Sequence, residues 1–335
     1  MIGPNEDPRQ RESKRTARRA IVLGVAAGTV YGLFMRLVFD TASVMLGGLF
    51  WVMTASFMLG VPLLVGYLTV LPRKRPSLPY AIFVPWMPTL LGAALAALIG
   101  LEGAICIVMG LPVMLVLASV GGLVARTDWA RRRGVASVAV CLPLAFAPVE
   151  RQLPPLDSPR LVETSIAIDA PPAAIWREIV SVRPILAAER RPALFTAIGF
   201  PAPISATIDR AGVGAVRQAR FQGGVLFLET VTVWEPERQL AFTIDPQTES
   251  IPPETLDRHV TIGGDYFDVL EGTYTIEPLA AGRSLLHLQS RTRVSTHFNL
   301  YAGAWSDAVM RSIQRNILEI VRARAERTAR RAKSA

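Results

Sequence analysis

Cysteine and histidine are scarce in this chain of 335 residues, which has two of the first and three of the second. Cys106 and Cys141 both lie inside apolar runs, which excludes a disulfide framework and a CxxC-type metal site. His259, His287 and His297 are far apart, and no HExxH pairs two of them. No GxxxxGK followed by Ser or Thr is present to cradle a phosphate, and no GxSxG to present a serine nucleophile. Gly212-Val213-Gly214 is half of a dinucleotide fingerprint between two strand-like segments, and it is set aside. No metal and no cofactor are therefore expected. Charge is also sparse: charged residues make up 19%, against about a quarter in soluble domains. Hydrophobic residues reach 51%, and the mean hydropathy is +0.34. The chain is too apolar to be wholly soluble, and it is not disordered.

Acidic residues are the minority, 27 against 36 Lys and Arg, for a net charge of +9. Most of this surplus falls in short clusters between apolar runs, as in the loops of a membrane protein, so nucleic acid is not expected as a partner. Runs of membrane length occupy about residues 20–38, 43–71, 80–100 and 103–124, and a shorter one occupies 134–149. Four to five spans in a transmembrane bundle are expected over residues 20–150. Gly28, Gly32, Gly47, Gly48, Gly92 and Ala93-Ala94 suit close helix packing.

Basic clusters lie at residues 9–19, 73–75 and 126–133, whereas the alternate connections carry Asp40 and Glu102 and no Lys or Arg. The positive-inside rule then predicts a multi-pass protein of the plasma (inner) membrane with residues 1–19 as a basic cytoplasmic amino terminus. If 134–149 crosses, the carboxy-terminal half is periplasmic or extracellular; if it does not, that half is cytoplasmic. Arg131–Arg133 and Glu150 at its two ends favour crossing. Arg36, near a helix end, is expected to snorkel, and neither it nor Glu102 suggests an ion pathway.

A stiff proline-rich linker at 151–160 precedes a half of ordinary globular composition. Strand-like alternation at 161–169 is followed by Ala170-Pro171-Pro172 and a short helix over 173–180. A second short helix is expected at 184–198. Strands follow at about 204–210, 215–221, 225–234, 239–244, 266–276 and 284–295, and a long amphipathic helix closes the chain over 298–325. Its apolar stripe runs through Phe298, Ala302, Trp305, Val309, Ile313, Ile317 and Ile320. Residues 327–335 read as a fraying basic tail. The order is that of an α+β domain whose curved antiparallel sheet surrounds a long carboxy-terminal helix.

The segment Ser165-Ile-Ala-Ile-Asp-Ala-Pro-Pro-Ala-Ala-Ile-Trp176 resembles the opening of the SRPBCC superfamily, the START-like helix-grip proteins of polyketide cyclase/dehydrase and lipid-transport type. The likeness covers residues 161–326. It implies a deep apolar cavity between sheet and final helix for a lipid, sterol, polyketide or similar guest. The motif carries no catalytic residue and says little about function; catalysis stays open and is not the leading expectation. The membrane half departs from the soluble single-domain pattern.

Candidate cavity residues come from strand alternation. Val225, Phe227, Glu229, Val231 and Val233 share a face, and a carboxylate there must be paired, protonated or wet. Glu229 either orients a ligand or pairs with a neighbouring-strand arginine, Arg217 or Arg220. Tyr266, Asp268, Leu270, Tyr274 and Ile276 share another face, as do Leu286, Leu288, Ser290, Thr292 and Val294. Opposite the latter, His287, Gln289, Arg291 and Arg293 form a solvated outer row or touch anionic headgroups. Trp305 and Val309 on the last helix complete the set. His259 falls in a long loop at 246–265, a lid or a passive surface loop. His297 or Thr296 starts the last helix.

The leading expectation is a membrane-anchored domain that binds a lipid or other hydrophobic small molecule. Membrane lipids are its surroundings, and there is room for a protein partner. The alternatives are a cyclase/dehydrase-type enzyme using Glu229, Asp268 or Tyr274 as acid or base, and a ligand-responsive sensor or membrane assembly factor.

Overall fold

The structure, a computed structural model, describes residues 8–45, 52–127, 133–189, 194–247 and 262–334. Its contacts divide the chain into two units, Met1–Pro154 and Pro155–Ala335.

The amino-terminal unit is helical. Helix α1 spans Pro8–Met45. A π-helical turn, Ser56–Gly60, leads into α2, Val61–Val70. Then come α3, Leu78–Phe83, α4, Trp86–Leu98, α5, Ala104–Val124, and α6, Arg133–Arg151. Among the described residues three stretches are long and apolar enough to cross a membrane: Lys14–Asp40, Leu78–Leu98 and Ala104–Val124. That is fewer than the four to five spans expected. The run at 43–71 is divided, because α1 takes its first residues and helix resumes only at Ser56; residues 46–51 lie outside the described ones. The run at 134–149 is helical, with Pro143 and Pro148 inside it.

Glycine sets the spacing of these helices. A Cβ on Gly66 would lie 1.8 Å from the Ala118 carbonyl oxygen, and one on Gly121 would lie 1.7 Å from that of Leu63. Gly92, by contrast, faces open space. Large side chains such as Leu23, Phe34, Leu90 and Val116 are exposed on the outside, an apolar surface of a kind water-soluble proteins avoid.

Two polar clamps hold the unit. Arg36 does not snorkel: it is 4% exposed. Its Nε donates to Glu102 Oε1 at 2.6 Å and its Nη2 to the Leu101 carbonyl at 2.6 Å. Glu150 accepts from the backbone N–H groups of Ala55 and Ser56 at 2.5 and 2.9 Å, and from the Ser56 hydroxyl at 2.7 Å. A carboxylate is favourable there because the first amides of a helix lack intrahelical partners. Pro143 meets Gly60 further along, so α6 runs antiparallel to α2.

The carboxy-terminal unit starts with β1, Ser158–Ile168. Pro171 and Pro172 end the strand and open α7, Pro172–Val180, since proline costs little at a helix start. In place of the helix expected at 184–198 there are a 3₁₀ turn, Ala187–Glu189, and a single turn α8, Leu194–Ala197; residues 190–193 are outside the described ones. Strands β2, Pro203–Ile208, β3, Val216–Phe221, β4, Leu226–Glu235, β5, Gln239–Pro246, β6, Phe267–Leu279, and β7, Arg283–Val294, follow. Helix α9, Asn299–Ser334, closes the chain, so the expected fraying tail is helical to Ser334.

The seven strands are antiparallel in the order β1-β7-β6-β5-β4-β3-β2. The first strand pairs with the last, and α9 then lies along β1 and β7. This is the helix-grip architecture.

Helix α9 is turned about one residue from the expected stripe. Its most buried line runs through Ser306, Met310, Gln314, Leu318, Val321 and Ala325, leaving Trp305, Ile313 and Ile317 on the flank. Hydrogen bonding explains the turn. Gln314 Nε2 donates to the Val162 carbonyl and the Ser290 hydroxyl, both at 2.9 Å, and its Oε1 accepts from Thr164 at 2.8 Å. Arg160 makes two bonds of 2.6 Å to Asp307, and the missing Cβ of Gly303 leaves room for its guanidinium.

Candidate functional site

The hairpin β3–β4 turns at Gly223, whose φ of +69° suits glycine. Pairing is symmetric about that turn, so Arg217, six residues before it, stands directly opposite Glu229, six after. Both face inward, at 3% and 6% exposure. Arg217 Nη1 donates to Glu229 Oε2, and Nε donates to the Val180 carbonyl at 3.3 Å. On β6, Gly272 has no Cβ, and the Phe242 ring of β5 occupies that space. The Arg217 guanidinium lies 5.5 Å from the centre of that ring.

Tyr274 completes the polar group. It is buried, and its hydroxyl is within reach of Arg217. Burial pushes the Glu229 carboxyl above its usual range, and the facing guanidinium pulls the other way. Desolvation works against the charge on Arg217, but Glu229 and Tyr274 together raise its value. Burial pushes the Tyr274 hydroxyl up to about 12.

These three side chains border a cavity of about 50 Å³. Ala206, Ala219 and Phe221 of the sheet, Ile320 and Val321 of α9, and Val182 from the segment after α7 form much of its apolar wall. This space is far smaller than the deep cavity that the family likeness implies. Ile175, Leu240, Phe242 and Leu318 pack together in the neighbouring interior. The segment 182–189 is strapped to α9 beside the cavity. Arg324 Nε and Nη2 donate to the two Glu189 carboxylate oxygens at 3.0 and 2.7 Å, and its Nη1 and Nη2 also reach the Arg183 and Pro184 carbonyls. Arg327 adds a bond of 2.7 Å to Glu189. These arginines hold the Glu189 carboxyl down at about 2.

Of the residues singled out in the sequence, Glu229 and Tyr274 border the cavity. Phe227 packs on Phe221 beside it, with ring centres 5.3 Å apart. Val231 and Leu288 belong to the main core, and Val309 is buried on α9. Trp305 is half-buried against Phe195 and Tyr301. Asp268 is not brought to Tyr274. A register shift between Val269 and Glu271 places it opposite Arg293, on the outer face. A similar shift between Val231 and Val233 turns Trp234 inward onto Trp176, 5.2 Å away, in place of Val233. The outer row of β7 is paired with carboxylates: His287 with Glu163 at 2.9 Å, Arg291 with Glu271 at 3.6 Å and Arg293 with Asp157 at 3.5 Å. Thr296 starts α9 by accepting from the Phe298 N–H. His259 lies outside the described residues.

Arg217 entered the sequence reading only as a partner for Glu229. Its place is deducible from Gly223 as the centre of the hairpin. Arg324, Glu189 and Gln314 were missed, and no local pattern distinguishes them from other polar residues of a solvated helix or loop.

No protein-family model matches the chain, and no curated protein matches it. Several solved structures are similar to half of it. Zhui aromatase/cyclase from a Streptomyces species is 20% identical over 51% of this chain and 95% of that one, with a TM-score of 0.31. Truncated norcoclaurine synthase from Thalictrum flavum is 12% identical over 49% and 94%, at 0.30. Ara h 8.0201 is 15% identical over 49% and 96%, also at 0.30. At these scores the architecture rests on strand order and the docking of α9, not on the likenesses. The carboxy-terminal unit is thus a helix-grip domain with a small cavity and a buried Arg–Glu–Tyr group at its wall.

Proposed function

We propose that the chain is a membrane protein whose helix-grip domain binds an apolar small molecule, a lipid or isoprenoid-like compound, bearing one polar group. The cavity beside Arg217, Glu229 and Tyr274 carries this reading. Arg217 offers donors, Glu229 an acceptor and Tyr274 a hydroxyl, so one hydroxyl or carbonyl of a guest finds a partner without an unpaired charge being buried. The apolar wall supplies affinity at about 25 cal/mol per Å² buried. Ligand sites span roughly 300–1,000 Å³, so a whole guest enters only when segment 182–189 moves. The Arg324–Glu189 strap is the contact that must give.

The exposed apolar side chains of the helical unit support residence in a bilayer. The basic clusters support a cytoplasmic amino terminus. The antiparallel course of α6 against α2 supports a carboxy-terminal domain on the opposite side, periplasmic or extracellular. Ser158→Cys in intact cells is then expected to react with a membrane-impermeant thiol reagent. Protection of that cysteine, with an outer control labelled, would place the domain in the cytoplasm.

The full chain extracted from membranes is expected to release one dominant apolar compound on mass spectrometry, distinct from bulk lipid. Release of bulk lipid alone would contradict binding.

Catalysis is a second reading, favoured by one observation: a carboxylate with a raised pKa and a tyrosine share the cavity wall. If the released compound is turned over, Glu229→Gln is expected to abolish turnover while the compound still binds. Unchanged turnover would remove Glu229 from that role.

A further inference from the structure

The first turns of α9 carry an apolar face that the domain covers only in part. Leu300, Tyr301, Ala304, Trp305 and Ala308 recur at the spacing of one helix side. Leu300 is 93% exposed, while Tyr301 and Trp305 are half-buried. Phe195 of α8 packs edge-on against Trp305 at 6.2 Å and against Phe200 at 5.7 Å, and its neighbour Leu194 is exposed. Farther along the same side of α9 the character changes: Arg311 and Arg315 are both exposed, and Arg311 stands 3.8 Å from Asp307. Elsewhere the outer surface of the sheet is a ladder of opposite charges, as at Glu163–His287 and Glu271–Arg291.

The same corner holds the linker. Asn299 Nδ2 donates to the Leu156 carbonyl at 2.6 Å, and the Leu156 side chain is 82% exposed.

We infer that the start of α9, with Leu300, Tyr301 and Trp305 at its tip and Arg311 and Arg315 behind, docks on the surface of a bilayer containing anionic lipid. The chemistry suits that occupant: tyrosine and tryptophan favour the headgroup level, leucine enters the acyl boundary, and arginine meets lipid phosphate. The inference rests on the membrane residence proposed above. It adds that the domain meets the lipid by one defined face.

The test uses the full chain with Cys106→Ser and Cys141→Ser, reconstituted into bilayers of phosphatidylcholine with or without phosphatidylglycerol. Single cysteines carry a spin label at Leu300→Cys, at Val116→Cys on the exposed side of α5, and at Val213→Cys in the β2–β3 turn at the other end of the sheet. Collision with oxygen and with a nickel chelate reports depth. Labels at 116 and 300 are expected to be immersed in phosphatidylglycerol bilayers, and the label at 213 to sit in water. Replacing Arg311 by Gln is expected to lower the ratio of immersed to free label at 300 by roughly fivefold, the effect of one basic residue near an anionic surface. A label at 300 in water while that at 116 is immersed overturns the docking alone. A label at 116 in water overturns the membrane reading and the docking with it. Dipolar broadening between copies at 300 without immersion assigns the face to self-association and also overturns it.

Discussion

Arg217 and Glu229 form a buried ion pair whose worth differs from the cost of breaking it. Removing two charges from water offsets most of their attraction, but stranding one of them costs about 3–5 kcal/mol. Glu229→Leu alone is therefore expected to destabilise the domain by about that amount, whereas Arg217→Met with Glu229→Leu should stay within about 1 kcal/mol of wild type. Denaturant unfolding read by the Trp176–Trp234 pair measures both. Additive losses in the double variant would contradict the pairing. Glu189 gives a pH test. Its carboxyl is held down at about 2, below an unfolded value of 4.5, by hydrogen bonds from Arg324 first and then Arg327. The sign follows: the folded state binds this proton less readily, so the contribution is full above about 4.5 and is lost as pH falls toward 2. Wild type should exceed Glu189→Gln in stability at neutral pH, with the gap closing over that window. A gap that does not change with pH would mean the strap is not ionic.

At the scale of elements, the helices of the first unit are spaced by backbone contact. Gly121→Ala would place a methyl 1.7 Å from the Leu63 oxygen, whereas the same change at Gly92 meets nothing. Overpacking costs about 1–3 kcal/mol or more, so Gly121→Ala should lower the melting temperature in detergent and Gly92→Ala should leave it unchanged. Equal melting of the two would refute the close approach. Period-two alternation predicted which side chains of β7 face inward, because that strand has no bulge within the Leu286–Val294 run. It failed on β4 and β6, where one extra residue swaps the faces beyond Thr232 and near Leu270 and carries Val233 and Asp268 away from the interior. A bulge has no composition of its own in those strands. The stripe of α9 was legible to within one residue, and the residual rotation came from Gln314, a polar residue that hydropathy assigns to water. Gln314→Leu should cost about 1–3 kcal/mol by stranding Thr164 and Ser290, against a gain if apolar matching alone oriented the helix.

For the molecule as a whole, the division between an apolar helical unit and a helix-grip domain follows from composition, which changes near Pro154-Pro155. The size of the cavity does not, because it depends on how Phe242, Leu240 and Leu318 fill the interior together. One open space lies at the wall of Arg217, Glu229 and Tyr274, and the proposed function stands on a guest occupying it. The most direct measurement fills that space and weighs what is lost. Ala219→Leu projects a larger side chain from β3 into the cavity, leaving the polar group intact. Quantitative mass spectrometry of the full chain, extracted in parallel, is expected to find about one equivalent of apolar compound on wild type and less than about a tenth on the variant, the discrimination expected of a steric block worth about 2.6 kcal/mol or more. Equal loading of the two proteins, with the variant folded, would show that the compound resides elsewhere and that this cavity is not its site.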